Sequence, residues 1–502
     1  MKFSSITKGY FSVFGVLLLL YGLTCAPGSL WQDSGLFQYR IWHNDIEGKL
    51  GLALAHPLYH IIGIGVKYIP LGEFGFRVNL ISAVAAALAG ANLFLLLRLW
   101  TNGNFPALVG AATLGVSWTF WQHACIAEVY TLSAALFLGE LAAVLQYFRT
   151  RRIGYLYLLG LLNGLALANH MWASIPLVCY IILVVHQSVT KQISGRQVAI
   201  ILLLWIIGAM PYEYLIIKNM VQTGEMGAAL SSALFGNGYR DKVLNVGISL
   251  KLLRENLMFL GLNFPTPNLL LFFVGLGALY RKTPHKGLAH LVLVLTVLFF
   301  IFAFRYTVPD RYAFFLPFYC LAALLIGLGG WVVIKQHRKV GAVLIGMCTL
   351  LPIPVYAVVP GWAEKMEVKI GTKRQIPYRN DYEWFLQPWR VGCRGPERFA
   401  RATFDTMPEN AIVYADSTTV FPLLYAQEVK GLRGDVKIVS RRASSAGAPD
   451  LTEKTIGALM KRTSVYVVSP AAGYCPDFIL DNYEFERAGV VWKVKEKQEH
   501  EP

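Results

Sequence analysis

Asp33 sits in the stretch WQDSGLFQYR, Trp31 to Arg40, directly after the first apolar run of the chain. A carboxylate held there at the membrane surface, beside Trp and Tyr, is positioned to act on the head group of a lipid-borne substrate. Read alone, Asp33-Ser34-Gly35 also fits the start of a helix, with Asp33 as its N-cap. Its company favours chemistry. His56 lies in HPLYH, Glu128 and Tyr130 open a later apolar run, His170 follows Asn169 where two runs meet, and Arg305, Asp310 and Arg311 stand in RYTVPDRYAFFLP. Ionisable residues at membrane depth are costly and mark either a site or a pairing. Guanidinium groups hold phosphate bidentately, so Arg305 and Arg311, flanking Pro309, are candidates to hold a lipid phosphate. Each residue has a plainer role as well: an ion pair from Arg311 to Asp310 or Glu128, a hydrogen-bonded core histidine for His170, and a pairing inside the bundle for Glu140.

The elements that must position these groups are membrane spans. The chain has 502 residues, 55% of them hydrophobic and only 15% charged, which excludes an ordinary soluble globule. A helix crosses the hydrocarbon core with ~20 apolar residues. Such runs occur near 9–25, 76–99, 105–121, 126–148, 154–170, 171–186, 197–217, 256–280, 288–304, 312–333 and 340–358, so the sequence predicts about eleven spans. The fold class expected is a polytopic α-helical membrane protein. Trp118, Phe120 and Trp121 read as an aromatic belt at the membrane interface.

The formal charge of +16 does not point to nucleic acid. Residues 1–359 hold 25 Lys or Arg against 11 Asp or Glu, whereas residues 360–502 hold 21 against 19. Alternate connections carry Lys2 and Lys8; Arg98; Arg149, Arg151 and Arg152; Lys191 and Arg196; Arg281, Lys282 and Lys286; and Lys335, Arg338 and Lys339, with no acid among them. That is the positive-inside pattern, and it orients the chain with its amino terminus in the cytoplasm. An odd number of spans then carries the carboxyl-terminal part to the extracytoplasmic side, with every candidate carboxylate. The expected location is the bacterial inner (cytoplasmic) membrane, with membrane lipid as the surroundings.

Two parts are expected: 1–359, a membrane domain whose first outer loop is 26–75, and 360–502, a small extracytoplasmic α/β domain. Leu58 to Ile69 is too short to cross and reads as an interfacial or re-entrant helix over the site. Lys218 to Arg254, rich in glycine around Phe235-Gly236-Asn237-Gly238-Tyr239, reads as a mobile loop. Past Pro360, Ala411–Ala415, Val436–Val439 and Val465–Val468 are β-branched runs, and a helix fits between Thr419 and Glu428. The seven cysteines show no metal-ligand spacing; Cys393 and Cys475 stand where a disulfide is permitted. No metal site is expected, and dependence on a divalent metal is left open.

Several stretches resemble the membrane O-mannosyltransferase family whose eukaryotic member modifies plexin-type receptor ectodomains, a branch of the GT-C glycosyltransferase superfamily. They are WQDSGLFQYR, LAHPLYHIIG (54–63), FRVNLISA (76–83), SWTFWQHACIAEVYTL (117–132), GLALANHMW (164–172), VPDRYAFFLP (308–317) and MPENAIVYADSTTVFPLLYAQEVKGLRGDVKIV (407–439). The resemblance implies a GT-C-like architecture, a polyprenyl-phosphate-linked sugar as donor and a hydroxyl acceptor on a protein or glycan. It further implies a loop acid as general base, with inversion at the sugar carbon. Asp33 occupies the place of that acid, and Leu36 stands where relatives carry a second one. On this reading Asp33 is catalytic, while His56, Glu128, Tyr130, His170, Arg305, Asp310 and Arg311 bind donor or substrate.

Two other classes fit parts of the sequence. A transporter or flippase of lipid-linked sugars also places charge among spans, but it is built from paired halves with broken helices, and no internal repeat is visible. A plain membrane anchor accounts for the carboxyl-terminal domain, yet not for polar residues gathered at the outer ends of the spans.

Overall fold

The computed structural model describes residues 5–281, 285–308, 310–370 and 374–497. Lys2, Lys282 and Pro309, and the side chain of Arg338, lie outside the described residues. The first ten helices are α1 (Ser5–Thr24), α2 (Gln32–Trp42), α3 (Pro57–Lys67), α4 (Phe74–Thr101), α5 (Asn104–Gly115), α6 (Trp118–Ala124), α7 (Tyr130–Thr150), α8 (Gly154–Asn169), α9 (Ser174–Val189) and α10 (Gly195–Thr223).

Among the described residues, eight helices are long and apolar enough to cross a membrane, and nine if one bent pair counts as a span. The protein is an integral membrane protein, and the helices that pass this length are fewer than the about eleven spans expected. The run at 105–121 is broken into α5 and α6 at Val116-Ser117, where the Ser117 hydroxyl donates to the Leu114 carbonyl. The run at 154–170 forms only the 16 residues of α8, ~24 Å of helix against a hydrocarbon core of ~30 Å. The run at 256–280 is Leu250–Asn263 and Pro267–Arg281, bent by 110°. Pro265 and Pro267 at the bend cannot donate backbone hydrogen bonds.

Small residues let the short helix pack closely. Gly160 and Gly164 of α8 face α10, and a methyl group on Gly164 would strike the Trp205 carbonyl and Gly208. Lipid offers no hydrophobic drive between helices, so such backbone contact is what holds them. Trp118, Phe120 and Trp121 are buried at 3%, 0% and 2% exposure, so they are core rather than an interface belt. The expected loop at 218–254 contains a helix, α11 (Met226–Phe235), packed on the turn Leu52–Leu54.

The carboxyl-terminal region forms a five-stranded mixed sheet from β1 (Ile412–Tyr414), β2 (Lys437–Val439), β3 (Val465–Val467), β4 (Tyr483–Ala488) and β5 (Val491–Glu496), in the order β2-β1-β3-β5-β4. β1 runs parallel to β2 and β3, with Ile412 opposite Lys437 and Val465; β5 pairs antiparallel with β3 and β4. Each β-branched run became a strand, and the expected helix is Val420–Glu428. All seven cysteines are free thiols, Cys393 and Cys475 included.

This region grips α2. Trp31 packs on Phe399 with ring centres 5.5 Å apart, and Tyr39 packs on Phe421 at 5.8 Å. The Gln32 amide donates to the Thr418 carbonyl, and His43 meets Glu428 at 2.6 Å. From the membrane side, α2 is anchored by Gln38. Its amide nitrogen donates to the Gly28 and Gly75 carbonyls and to the Asn79 side-chain oxygen, while its own oxygen accepts from the Leu30 amide. Asn79 in turn donates to the Ala26 and Gly28 carbonyls. The knot is buried, so Gln38→Leu strands several polar groups at ~1–3 kcal/mol each. The variant is expected to melt well below wild type in detergent; an unchanged melting temperature contradicts this role.

Candidate active site

α2 begins at Gln32, with Trp31 as its N-cap, so Asp33 is inside the first turn and is not the cap. A carboxylate in the first turn is favoured by the helix dipole. Asp33 is exposed into a cleft, and its carboxylate closes no hydrogen bond or ion pair with any described residue. Ser34, the next residue, is buried and donates from its hydroxyl to Glu128 at 3.4 Å. Glu128 lies between α6 and α7, where the Ser82 hydroxyl accepts from its amide at 3.1 Å and donates to its carbonyl at 2.9 Å. Asp310 is the third acid. Asp33, Glu128 and Asp310 line the same two adjoining cavities.

Burial raises all three acids, and each feels its neighbours. The Asp33 carboxyl is held above its usual range by burial, opposed by the charge of Arg442. Glu128 is pushed well up by burial and by the carboxylates of Asp33 and Asp310. Asp310 is pushed up to about 6 by burial and by Asp33, with Lys242 opposing. Like charges brought together out of water raise one another's affinity for a proton, and the upward push is strongest at Glu128.

The cavities differ in character. The larger, about 540 Å³, is walled by Leu36, Phe37, Phe235, Phe302 and Phe314 and also carries Arg40, Lys242 and Arg442. The smaller, about 340 Å³, is walled by Trp31, Tyr312, Trp384, Phe385 and Tyr474 with Arg374 and Arg379. Tyr130 borders both and meets the rings of His123, His170 and Trp172 at 4.9, 5.7 and 5.3 Å. Buried polar atoms on these walls without a hydrogen-bond partner among the described residues include the Gln122 carboxamide oxygen and the Arg374 Nε in the smaller cavity and the Trp172 indole N–H in the larger.

His56 and His170 line the larger cavity, stacked 5.0 Å apart at 25°. His56 caps α3 in the left-handed conformation, φ 50°, and its Nδ1–H donates to the Asn169 carbonyl at 2.8 Å. The Nδ1 of His170 accepts from the Trp172 amide. Burial lowers both, His56 to about 4, so the pair is neutral and offers one lone pair and one N–H.

The two arginines expected to hold phosphate are committed elsewhere. Arg305 donates to the Val243 and Asn245 carbonyls at 2.6 and 2.7 Å. Arg311 pairs with Glu255 at 2.7 Å, rather than with Asp310 or Glu128, and neither arginine lines either cavity. Glu128 forms no ion pair among the described residues, and Glu140 pairs inside the bundle with Asn163 and Tyr180. Residues that sequence reasoning missed are Arg442, Lys242, Arg374, Arg379, Gln122 and the aromatic wall. All but Gln122, Lys242 and Tyr312 come from the carboxyl-terminal region or the Trp31 side of α2. Among the described residues, no three His, Cys, Asp or Glu are placed to hold a metal ion.

Residues 50–194 match the family model described as Protein O-mannosyl-transferase TMEM260 N-terminal domain. The match spans α3 to α9 and includes His56, Glu128, Tyr130 and His170, but not Asp33 or Asp310. The mouse (Mus musculus) Protein O-mannosyl-transferase TMEM260 is 24% identical over 231 residues, 43% of this chain; the chain spans only 31% of the mouse protein. Among solved structures, the chain is similar to ArnT from Cupriavidus metallidurans bound to undecaprenyl phosphate, at 14% identity and a TM-score of 0.61, covering 97% of this chain and 98% of ArnT. It is also similar to the oligosaccharyltransferase AglB from Archaeoglobus fulgidus, in complex with an inhibitory peptide and a dolichol-phosphate. That likeness has 13% identity and a TM-score of 0.50, covering 99% of this chain and 75% of AglB. The fold is therefore GT-C-like, with the mixed sheet as its carboxyl-terminal region.

The acid cluster sets a pH dependence for any reaction that uses Asp33 as a base. The rate falls as the pH drops into the range, raised by burial, where Asp33 takes up its proton. Asp310→Asn removes a neighbouring negative charge, so the acid limb moves to lower pH. A limb that stays in place contradicts the coupling.

Proposed function

We propose that the chain transfers a glycosyl group, with mannose as the expected sugar, from a polyprenyl-phosphate-linked donor to a hydroxyl group on a protein or glycan. The observation that carries this reading is an unpaired carboxylate, Asp33, on the wall shared by an apolar cationic cavity and an aromatic one. The first suits a lipid chain with a phosphate; the second suits an acceptor whose polar and ring surfaces both need contacts. The likeness to a protein O-mannosyltransferase supports the sugar and the acceptor, and the lipid phosphates held by ArnT and AglB support the donor.

In the step proposed, the acceptor hydroxyl gives its proton to Asp33 as its oxygen bonds to the anomeric carbon. The bond from that carbon to the phosphate oxygen breaks, and its electron pair leaves with the lipid phosphate. Attack opposite the leaving group inverts the centre. Glu128, protonated, offers a hydrogen bond to a sugar hydroxyl, and Asp310, Tyr130 and the neutral His56–His170 pair line the donor. A positioned base contributes about 10²–10⁴-fold.

The division into a donor-holding membrane domain, 1–359, and an extracytoplasmic domain, 360–502, belongs to this proposal. So does the orientation, with the cavities facing outward from the bacterial inner membrane. Transport is disfavoured by the helix geometry: among the described residues a single bent pair occurs, where paired halves would supply two.

Asp33→Asn preserves shape and removes the base. It is expected to lower transfer about 100-fold or more while the protein still binds donor; turnover near wild type contradicts the assignment.

A further inference from the structure

The cations of the larger cavity differ in what they are free to do. Arg40 is buried and spent: it donates to the Leu54 and Ala55 carbonyls and stands 3.6 Å from Asp45. Arg305 and Arg311 are spent as described above. Arg442 and Lys242 are not. Both line the cavity, and neither closes an ion pair with an acid among the described residues. Lys242 rests over the Tyr239 ring at 5.0 Å.

The topology explains why an arginine of the sheet reaches a membrane-side cavity. β1 and β2 are parallel, and their carboxyl ends deliver Ser417 and Arg442 to the same cavity wall. Ligand crevices of open sheets form outside the carboxyl ends of parallel strands. Here that edge faces the first turn of α2, where the Gln32 amide bonds to the Thr418 carbonyl.

We propose that Arg442 and Lys242 are the pair that holds the lipid phosphate, so that the carboxyl-terminal sheet supplies half of an anion clamp over the membrane domain. This rests on the donor assigned under the proposed function and names the residues that bind its charged group. A sugar-bearing lipid phosphate is a diester with one negative charge; the released lipid phosphate is a monoester that approaches two. A guanidinium and an ammonium on the cavity wall therefore hold the leaving group more strongly than the donor, which favours bond breaking. The apolar wall of Phe235, Phe302 and Phe314 beside them suits the isoprenoid chain.

The test is equilibrium binding of undecaprenyl phosphate and of the uncharged alcohol undecaprenol to the purified full-length protein. Wild type is expected to prefer the phosphate. Arg442→Ala and Lys242→Ala should each weaken phosphate binding about tenfold or more and leave alcohol binding unchanged. Arg442→Lys should recover part of the loss, and Arg441→Ala, at an exposed neighbour outside the cavity, should match wild type. Unchanged phosphate binding in both alanine variants overturns the clamp and leaves the transfer reading intact, as does an equal loss for phosphate and alcohol. A wild type without preference for the phosphate overturns the donor assignment and the clamp together.

Discussion

Three carboxylates line one wall, Glu128 buried, Asp310 half-buried and Asp33 open to the cleft, and charge on one raises the cost of charge on the next. Asp33, Glu128 and Asp310 therefore divide the labour by environment. Glu128 is the most enclosed, with a backbone clamped by Ser82, and is pushed furthest toward holding a proton. Asp33 opens into the cleft with Arg442 nearby and holds negative charge most easily. A second loop acid at Leu36 is not needed for a polar cluster, because the membrane helices bring two acids from far along the chain.

The same wall joins the two parts of the molecule. α2 is held from below by the Gln38–Asn79 knot and from above by Phe399, Phe421 and Thr418. A short helix anchored on two sides keeps its first turn fixed. The carboxyl-terminal region thus lines both cavities: it walls the aromatic one with Trp384, Phe385 and Tyr474 and brings Arg442, just past β2, to the other.

Much of this was legible in residues. The apolar runs locate helices because hydropathy reports burial in lipid directly, and the β-branched runs locate three of five strands for the same local reason. The apolar runs and the helices part where local breaks matter: Ser117 splitting α5 from α6, the prolines bending 250–281, and the shortness of α8. Asp33, His56, Glu128, Tyr130, His170 and Asp310 meet at one cleft, as their shared outer-facing position suggested. The choice of cations was not legible. Arg305 and Arg311 lie nearest the acids in sequence, yet their partners, two backbone carbonyls and Glu255, are set by packing. Arg442 sits 132 residues past Asp310 in a region whose docking no local pattern encodes.

The central claim is that donor lipid and acceptor meet at Asp33 from two separate cavities. A structure of the full-length protein with a non-hydrolysable polyprenyl-phosphate sugar tests it most directly. The account predicts the isoprenoid chain along Phe235, Phe302 and Phe314, the phosphate beside Lys242 and Arg442, and the anomeric carbon facing Asp33. A lipid phosphate seated on Arg305 and Arg311, with its sugar turned away from Asp33, would contradict it.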